Sequence, residues 1–148
     1  MLRARTATGD PEGDPIDEHE PPGNGELGRR LDALRGEIAL PVPAASAVKI
    51  DGERAYRLHR RGVVVDMPVR RSRVDALDLL ARDGPIVTLD LRVSSGTYVR
   101  AVADALGGHC RTLRRLEVGP FTVDEADPDR VIDVGEALAR IARAEVTS

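Results

Sequence analysis

The strongest constraint on the fold is an alternating pattern near the middle of the chain. From Ile86 to Val93, positions 87, 89, 91 and 93 are Val or Leu, whereas Thr, Asp and Arg occupy 88, 90 and 92. A period of two residues is typical of a strand with one buried face. A second expected strand segment, from Val69 to Leu80, precedes it, and Asp83-Gly84-Pro85 favours a turn between them. The sequence therefore predicts an antiparallel hairpin or meander.

Helical patterns lie on both sides of this hairpin. Leu27, Leu31 and Leu34 recur at helical spacing, and Gly36 is a natural stop signal. The same criteria predict three further helices, at residues 53–61, 98–106 and 134–144. Thr97 is the expected N-cap of the helix at 98–106. Short strands are expected at residues 45–50 and 110–118. Because single helices alternate with antiparallel strand pairs, the predicted fold class is α+β, a mixed, mainly antiparallel sheet with short helices.

The length of 148 residues, with 41% of them apolar, allows one globular domain. Residues 1–26 carry seven acids, four prolines and no apolar periodicity, so we expect a loop or a disordered arm there. Residues 27–126 form the expected globular body, and residues 127–148 the C-terminal helix.

No apolar run reaches the roughly 18 residues of a membrane span, and no signal peptide is recognisable, so we expect a cytoplasmic protein.

The charge is unevenly distributed along the chain. The net charge is −3, yet residues 49–73 contain eight bases against three acids. Of the 22 basic residues, 21 are arginine, which a biased genome explains as readily as RNA binding does. Ordinary solvated arginines therefore remain an alternative to a nucleic-acid surface. The single Cys110 allows neither an internal disulfide nor a multi-cysteine zinc site.

Three short segments carry the side chains best suited to chemistry. The chain has no phosphate-binding glycine loop, and its three histidines are scattered, so we expect no metal and no cofactor. The first segment is Ser95-Gly96-Thr97-Tyr98-Val99-Arg100. The second contains Leu113-Arg114-Arg115 and Val118-Gly119-Pro120-Phe121, and the third contains Ser46-Ala47-Val48-Lys49 and Tyr56. All three aromatic residues of the chain fall within these segments.

Tyr98 and Arg100 have the chemistry of a nucleotide site. A tyrosine ring offers a stacking face, and a guanidinium offers a planar fork of donors for a carboxylate or phosphate at the start of a helix. A structural interpretation stays open beside this one. Arg100 and Asp104 are spaced for a surface ion pair worth about 0.3–0.5 kcal/mol, and Tyr98 would then simply pack against the sheet.

These segments, in this order, resemble the central and C-terminal part of the catalytic domain of bacterial tRNA pseudouridine synthases of the TruB family. The most specific matches are SGTYVRAVADALG and LRRLEVGPF, supported by SAVK, by Asp51-Gly52 and by Tyr56. The weaker Arg5 to Asp10 segment and the helix that begins near Leu27 also match. The resemblance covers roughly residues 3 to 126, so the body at 27–126 is predicted to be a partial catalytic domain of this family.

The resemblance implies isomerisation of a T-loop uridine in tRNA by a monomeric enzyme that needs no metal or cofactor. The target base must be flipped out of its stack into a pocket. By the match, Arg100 is the family's arginine that pairs with the essential Asp. Tyr98 is a substrate-pocket tyrosine, and Leu113 is an apolar residue against the flipped base. Lys49, Arg114 and Arg115 are candidates for contacts with the RNA backbone.

The chain departs from the family in several places. The segment that carries the nucleophilic Asp is not recognisable in these residues, and neither is the tyrosine that stacks on the target base. We therefore expect a fragment that is inactive alone, with the acidic partner of Arg100 lying outside it. Ala45 replaces a usual aromatic, and the spacing from Arg100 to Leu113 is shorter than in the family. The alternative is a noncatalytic RNA-binding remnant of the family.

Overall fold

The computed structural model describes the backbone of residues 1–146 and the side chains of residues 1–144. Two compact units make up the chain, Met1–Arg111 and Thr112–Ser148. The division falls after Arg111, whereas the sequence suggested boundaries at residues 26 and 126. All strand pairs among the described residues are antiparallel, and short helices alternate with them. The predicted α+β class is confirmed.

The first unit contains most of the regular structure. Its elements in chain order are β1 (Ala4–Thr6), β2 (Pro15–Glu18), α1 (Asn24–Ala33), β3 (Gly36–Pro41), β4 (Lys49–Ile50), β5 (Glu53–Arg54), α2 (Ala55–Arg60), β6 (Val69–Asp83), β7 (Ile86–Val93) and α3 (Val99–Ala105). The second unit contains β8 (Glu117–Val118), β9 (Phe121–Thr122), a 3-10 turn (Val123–Glu125) and α4 (Val134–Val146).

A three-stranded sheet in the order β3-β6-β7 forms the centre of the first unit. Asp83 pairs with Ile86 across the turn, so the predicted hairpin is present, and β3 adds to its other edge with Gly36 opposite Val74. The alternating side chains of β7 pack against the core from one face, as the period of two requires. The buried core consists of Leu2, Leu27, Leu31, Leu34, Ile38, Val74, Leu77, Val102 and Leu106.

The first 26 residues contain an ordered hairpin where a loop or disordered arm was expected. Strands β1 and β2 pair with Arg5 opposite Asp17, and the Arg5 guanidinium bonds the Asp17 carboxylate at 2.7 and 2.9 Å. Leu2 is only 2% exposed, and its N–H donates to the Pro85 carbonyl at 2.7 Å. The buried leucine and the cross-strand ion pair help to order this segment, together with the contacts of Thr8 and Asp10 with Arg100, although its composition lacks any apolar period.

Two predicted strands are shorter than expected because their backbone groups bond elsewhere. Between residues 45 and 50 only β4 is a strand, since the Ser46 and Val48 carbonyls accept the N–H groups of Tyr56 and Ala55 at the start of α2. Between residues 110 and 118 only β8 is a strand, and the Cys110 N–H donates to the Gly9 carbonyl at 2.8 Å.

The N-cap of α3 is Tyr98, one residue later than predicted. The Thr97 hydroxyl donates to the Ser94 carbonyl at 2.8 Å, so it closes the turn after β7 and does not cap the helix. The threonine therefore shapes the Ser94–Tyr98 turn, which carries one of the three motif segments.

The second unit has its own polar contacts. The Arg140 guanidinium of α4 bonds Glu125 at 3.1 Å and Glu136 at 2.9 Å, and it lies 5.8 Å from the centre of the Phe121 ring. The predicted final helix is thus present as α4, while residues 147 and 148 of the predicted segment 127–148 lie outside the described residues. Among the helices the structure describes, none has the length and apolar character needed to cross a bilayer.

Candidate functional site

Arg100 is held by three chain segments of the first unit. Its Nη1 donates to the Thr8 carbonyl at 3.1 Å and to the Asp10 carboxylate at 3.0 Å, and its Nη2 donates to the Ala45 carbonyl at 3.0 Å. The side chain is 26% exposed, so the guanidinium lies against the protein and not in open solvent. Two neutral acceptors and one carboxylate fix both the position and the plane of the cation.

Gly9 permits this close approach. It has a φ of +75°, and a Cβ at this position would lie 3.0 Å from Cβ of Arg100. A side chain would therefore meet both a strained backbone conformation and a steric conflict. The turn from Thr8 to Asp10 can touch Arg100 because this residue is glycine.

Asp10 gives Arg100 a carboxylate partner within the chain, in addition to the acidic partner expected outside it. No ion pair joins Arg100 to Asp104 among the described residues, and the Asp104 carboxylate lies 3.9 Å from Nη1 of Arg5. Burial raises the pKa of Asp104, and Arg5 offsets part of this effect. The role of Arg100 toward a further carboxylate, supplied by the family's Asp segment, stays a prediction.

Tyr98 lines a shallow cleft on the first unit. The cleft walls combine apolar, hydroxyl and basic side chains from β3, β6 and α3. They are Ile38, Leu40, Pro41, Arg70, Ser72, Thr97, Tyr98 and Ala101. Arg100 does not line the cleft. Side chains two residues apart at the start of a helix point in different directions, which explains why Tyr98 lines the cleft and Arg100 does not. The half-buried Tyr98 ring and the bonded guanidinium therefore occupy different sides of the α3 start.

Arg70 is a component of this cleft that the sequence did not single out. Its guanidinium packs beneath Gly96, where a Cβ would lie only 2.5 Å from Nη2 and 2.9 Å from Cζ. Gly96 also has a φ of +76°. The only sequence signal was the membership of Arg70 in the basic stretch 49–73, and that signal does not separate it from its neighbours.

Lys49 lies on an exposed basic element formed by β4, β5 and α2. Tyr56 is central to this element, with the guanidinium carbons of Arg57 and Arg60 at 5.9 and 5.5 Å from the ring centre. The Arg57 Nε donates to the Tyr56 hydroxyl at 3.3 Å, and this hydrogen bond lowers the pKa of Tyr56. Lys49, opposite Arg54 in the β4–β5 pair, is exposed. The element therefore offers an aromatic face surrounded by positive charge.

Leu113, Arg114 and Arg115 belong to the second unit. They precede β8 in a segment without regular secondary structure, their side chains are exposed, and Leu113 is 53% exposed. Arg114 and Arg115 are thus accessible for contacts with phosphates. The assignment of Leu113 to the substrate pocket stays a prediction.

Ser46 and Cys110 are polar groups of the first unit that differ in environment. The Ser46 hydroxyl is buried and has no hydrogen-bond partner among the described residues. Burial raises the pKa of the Cys110 thiol, with the Asp10 charge acting in the same direction, which disfavours a reactive thiolate.

Within the described residues, no cluster of three or more His, Cys, Asp or Glu is arranged to hold a metal ion.

Comparison with known proteins decides the family. The family model described as TruB family pseudouridylate synthase (N terminal domain) matches residues 1–99, about two thirds of the chain. The chain belongs to the TruB family. Three relatives illustrate the similarity, and each is a tRNA pseudouridine synthase B.

The relative from Corynebacterium efficiens is 42% identical over 159 aligned positions, covering 94% of this chain and 54% of its own length. One from a Mycobacterium species (strain KMS) is 42% identical over 86% of this chain and 47% of its own length. The Mycobacterium leprae protein is 46% identical over 63% of this chain and 34% of its own length. This TruB-family chain therefore spans about half the length of the first two of these relatives.

Proposed function

We propose that this chain is part of a tRNA pseudouridine synthase that acts on a T-loop uridine of tRNA in the cytoplasm. In that reaction the bond between the ribose and a ring nitrogen of uracil breaks, and a bond to a ring carbon forms. The carbon loses a proton and the nitrogen gains one, so the composition of the nucleotide is unchanged. The chemistry requires neither a metal nor a redox cofactor.

The observation that carries the proposal is the fixed guanidinium of Arg100, the residue that the sequence resemblance assigns to the family's catalytic arginine. Its bonds to Thr8, Asp10 and Ala45 leave it little freedom. A cation held in this way would keep a nearby carboxylate ionised and aimed at the nucleotide. We propose that the nucleophilic Asp is supplied by a segment that is not recognisable in these residues.

The remaining predicted residues would bind the RNA. Tyr98 would line the pocket for the flipped uridine, and Leu113 would provide an apolar contact with the base. Lys49, Arg114 and Arg115 would neutralise phosphates. The exposed basic element around Tyr56 supports this assignment, because guanidinium groups and an aromatic face suit an RNA strand.

RNA binding and turnover test the proposal separately. The full chain is titrated into an unmodified tRNA transcript between 50 and 200 mM KCl, and pseudouridine is measured by tritium release from labelled uridine. We expect binding that weakens steeply with salt, as phosphate contacts release counterions, and no turnover. Failure to bind tRNA at 50 mM KCl, or binding that salt does not affect, would contradict the proposal. Turnover would refute the inactivity of the chain alone.

A noncatalytic RNA-binding protein of the same family is the second candidate. It is favoured by Asp10, which already gives Arg100 a carboxylate partner within the chain. The genomic DNA before the Met1 codon separates the two candidates. In-frame codons for the Asp segment support a synthase, whereas their absence from complete upstream DNA supports the noncatalytic protein.

A further inference from the structure

The cleft beside Tyr98 contains one cation, Arg70, whose chemistry the family assignment does not explain. We propose that Arg70 binds a phosphate of the RNA next to the target nucleotide and so orients that nucleotide toward Tyr98. The proposal rests on the RNA-binding function proposed above and adds a specific contact to it. Arg70 would act as a positioning residue for substrate, separate from the catalytic Arg100.

Gly96 leaves room for the Arg70 guanidinium beside the turn after β7. Gly96 leaves the space that a Cβ would otherwise take, 2.5 Å from Nη2, and its φ of +76° favours glycine. The turn that contains Gly96 continues through Thr97, whose hydroxyl bonds the Ser94 carbonyl, to Tyr98. Arg70 thus lies directly beneath the turn that presents the pocket tyrosine.

The charge of Arg70 is available for a ligand. Within the part of the chain that the structure describes, no carboxylate lies within ion-pair distance of its guanidinium. Other arginines of the same unit are paired, such as Arg73 with Asp75 at 2.7 Å and Arg100 with Asp10 at 3.0 Å. Arg70 is exposed at the cleft edge, beside Ile38, Leu40, Pro41 and Tyr98, so an anion can reach its guanidinium directly.

The neighbouring strand positions supply a matched control. Arg70 and Ser72 both line the cleft, as residues two apart on one face of β6 do. Arg71 lies between them on the opposite face, is exposed, and carries the same charge. Replacing Arg70 or Arg71 therefore changes the net charge equally, but only Arg70 changes the cleft.

The test uses the full chain and a fluorescein-labelled T-arm hairpin RNA, with affinity measured by anisotropy at 50 to 200 mM KCl. We expect Arg70→Gln to weaken binding about tenfold and to reduce the slope of log affinity against log salt by about one. Arg70→Lys should keep the slope and regain part of the affinity, because the charge remains but the planar fork is lost. Arg71→Gln should change affinity less than twofold.

A structural role for Arg70 predicts different results. If Arg70 only supports the turn, Arg70→Gln lowers the melting temperature and the affinity but leaves the salt slope unchanged, and this outcome overturns the proposal. Equal effects of Arg70→Gln and Arg71→Gln overturn it too. Thermal melts of every variant show whether each one is folded.

One arm of the experiment separates this proposal from the proposed function. If the unaltered chain does not bind the hairpin, the RNA-binding function fails, and uridine 5′-monophosphate replaces the hairpin. Amide chemical shifts of Gly96 and Tyr98 are then followed by NMR. Shifts that appear in the unaltered chain and in Arg71→Gln but not in Arg70→Gln support an anion site, and the absence of shifts in the unaltered chain overturns it.

Discussion

At the scale of single residues, Arg100 is the most informative side chain of the protein. Its guanidinium links the turn at Thr8–Asp10, the loop at Ala45 and the start of α3. Two of its three acceptors are backbone carbonyls, which no substitution of a neighbouring side chain can remove. Most of its structural contribution should therefore survive the loss of its carboxylate partner.

Substitution of Arg100 and of Asp10 should consequently have unequal effects on stability. Arg100→Ala leaves the Thr8 and Ala45 carbonyls without their donor, so we expect a loss of about 2 kcal/mol of unfolding free energy. Asp10→Asn keeps the backbone contacts and removes only a partly exposed ion pair, so we expect a loss below about 1 kcal/mol. Urea denaturation of both variants measures the difference. Equal losses would show that the carboxylate dominates.

The buried Ser46 hydroxyl gives a prediction in the opposite direction. Because this hydroxyl has no partner among the described residues, its removal in Ser46→Ala should raise the unfolding free energy by about 1 kcal/mol. Ser95→Ala, at an exposed position in the turn after β7, is the control and should change stability by less than about 0.5 kcal/mol. A lower melting temperature for Ser46→Ala than for the unaltered chain would mean that the hydroxyl is bonded in solution.

At the scale of elements, the sequence predicted the parts that depend on local patterns. The β6–β7 hairpin follows from a period of two and a turn, and α1 follows from Leu27, Leu31 and a stop near Gly36. The β1–β2 hairpin was missed, because Leu2 is buried by distant residues and Arg5 meets Asp17 only after the chain has turned. Arg70 was missed for the same reason, since its relation to Gly96 exists only in three dimensions.

The β1–β2 hairpin should respond to acid. A hydrogen bond from Arg5 lowers the pKa of Asp17, so the pair contributes stability above the ordinary carboxyl pKa. This contribution is lost as the pH falls through the folded-state pKa, below about pH 4. We therefore expect Asp17→Asn to melt at a lower temperature than the unaltered chain at pH 7, and the difference to shrink toward pH 3.

A nearby acid without an ion pair provides the comparison for this titration. Asp14 is exposed and makes no ion pair among the described residues, so Asp14→Asn should follow the unaltered chain at every pH. Melting curves at pH 7, 5 and 3 compare the three proteins. A difference between Asp17→Asn and the unaltered chain that persists unchanged at pH 3 would contradict the assigned role of the ion pair.

At the scale of the whole molecule, the first unit is closed by contacts between the two ends of its sequence. The Met1 amino group donates to the His109 carbonyl at 2.7 Å, and the His109 N–H donates to the Met1 carbonyl at 3.1 Å. Leu2 enters the core beside them. Gly108 is packed so closely that a Cβ would lie 2.2 Å from the Met1 carbonyl oxygen.

Substitutions of Gly108 and Gly28 should change the stability of the first unit in opposite directions. Gly108→Ala should destabilise the first unit by about 1–3 kcal/mol, because the Met1–Leu2 backbone has to move. Gly28→Ala, within α1 and with open space around its Cβ, should stabilise by about 0.5–1 kcal/mol through helix propensity. Differential scanning calorimetry of the two variants measures both effects. Destabilisation by both substitutions would indicate a general intolerance of methyl groups and not a specific contact.

The high arginine content says little about function by itself, but it affects how the fold tolerates substitutions. Several arginines donate to main-chain carbonyls far along the sequence, and so connect segments that are distant in the chain. They include Arg30, Arg35, Arg82 and Arg100. A lysine cannot reproduce the planar, bidentate geometry of these contacts. Replacement of these arginines by lysine would thus preserve every charge and every buried leucine, and would still weaken the contacts between distant segments.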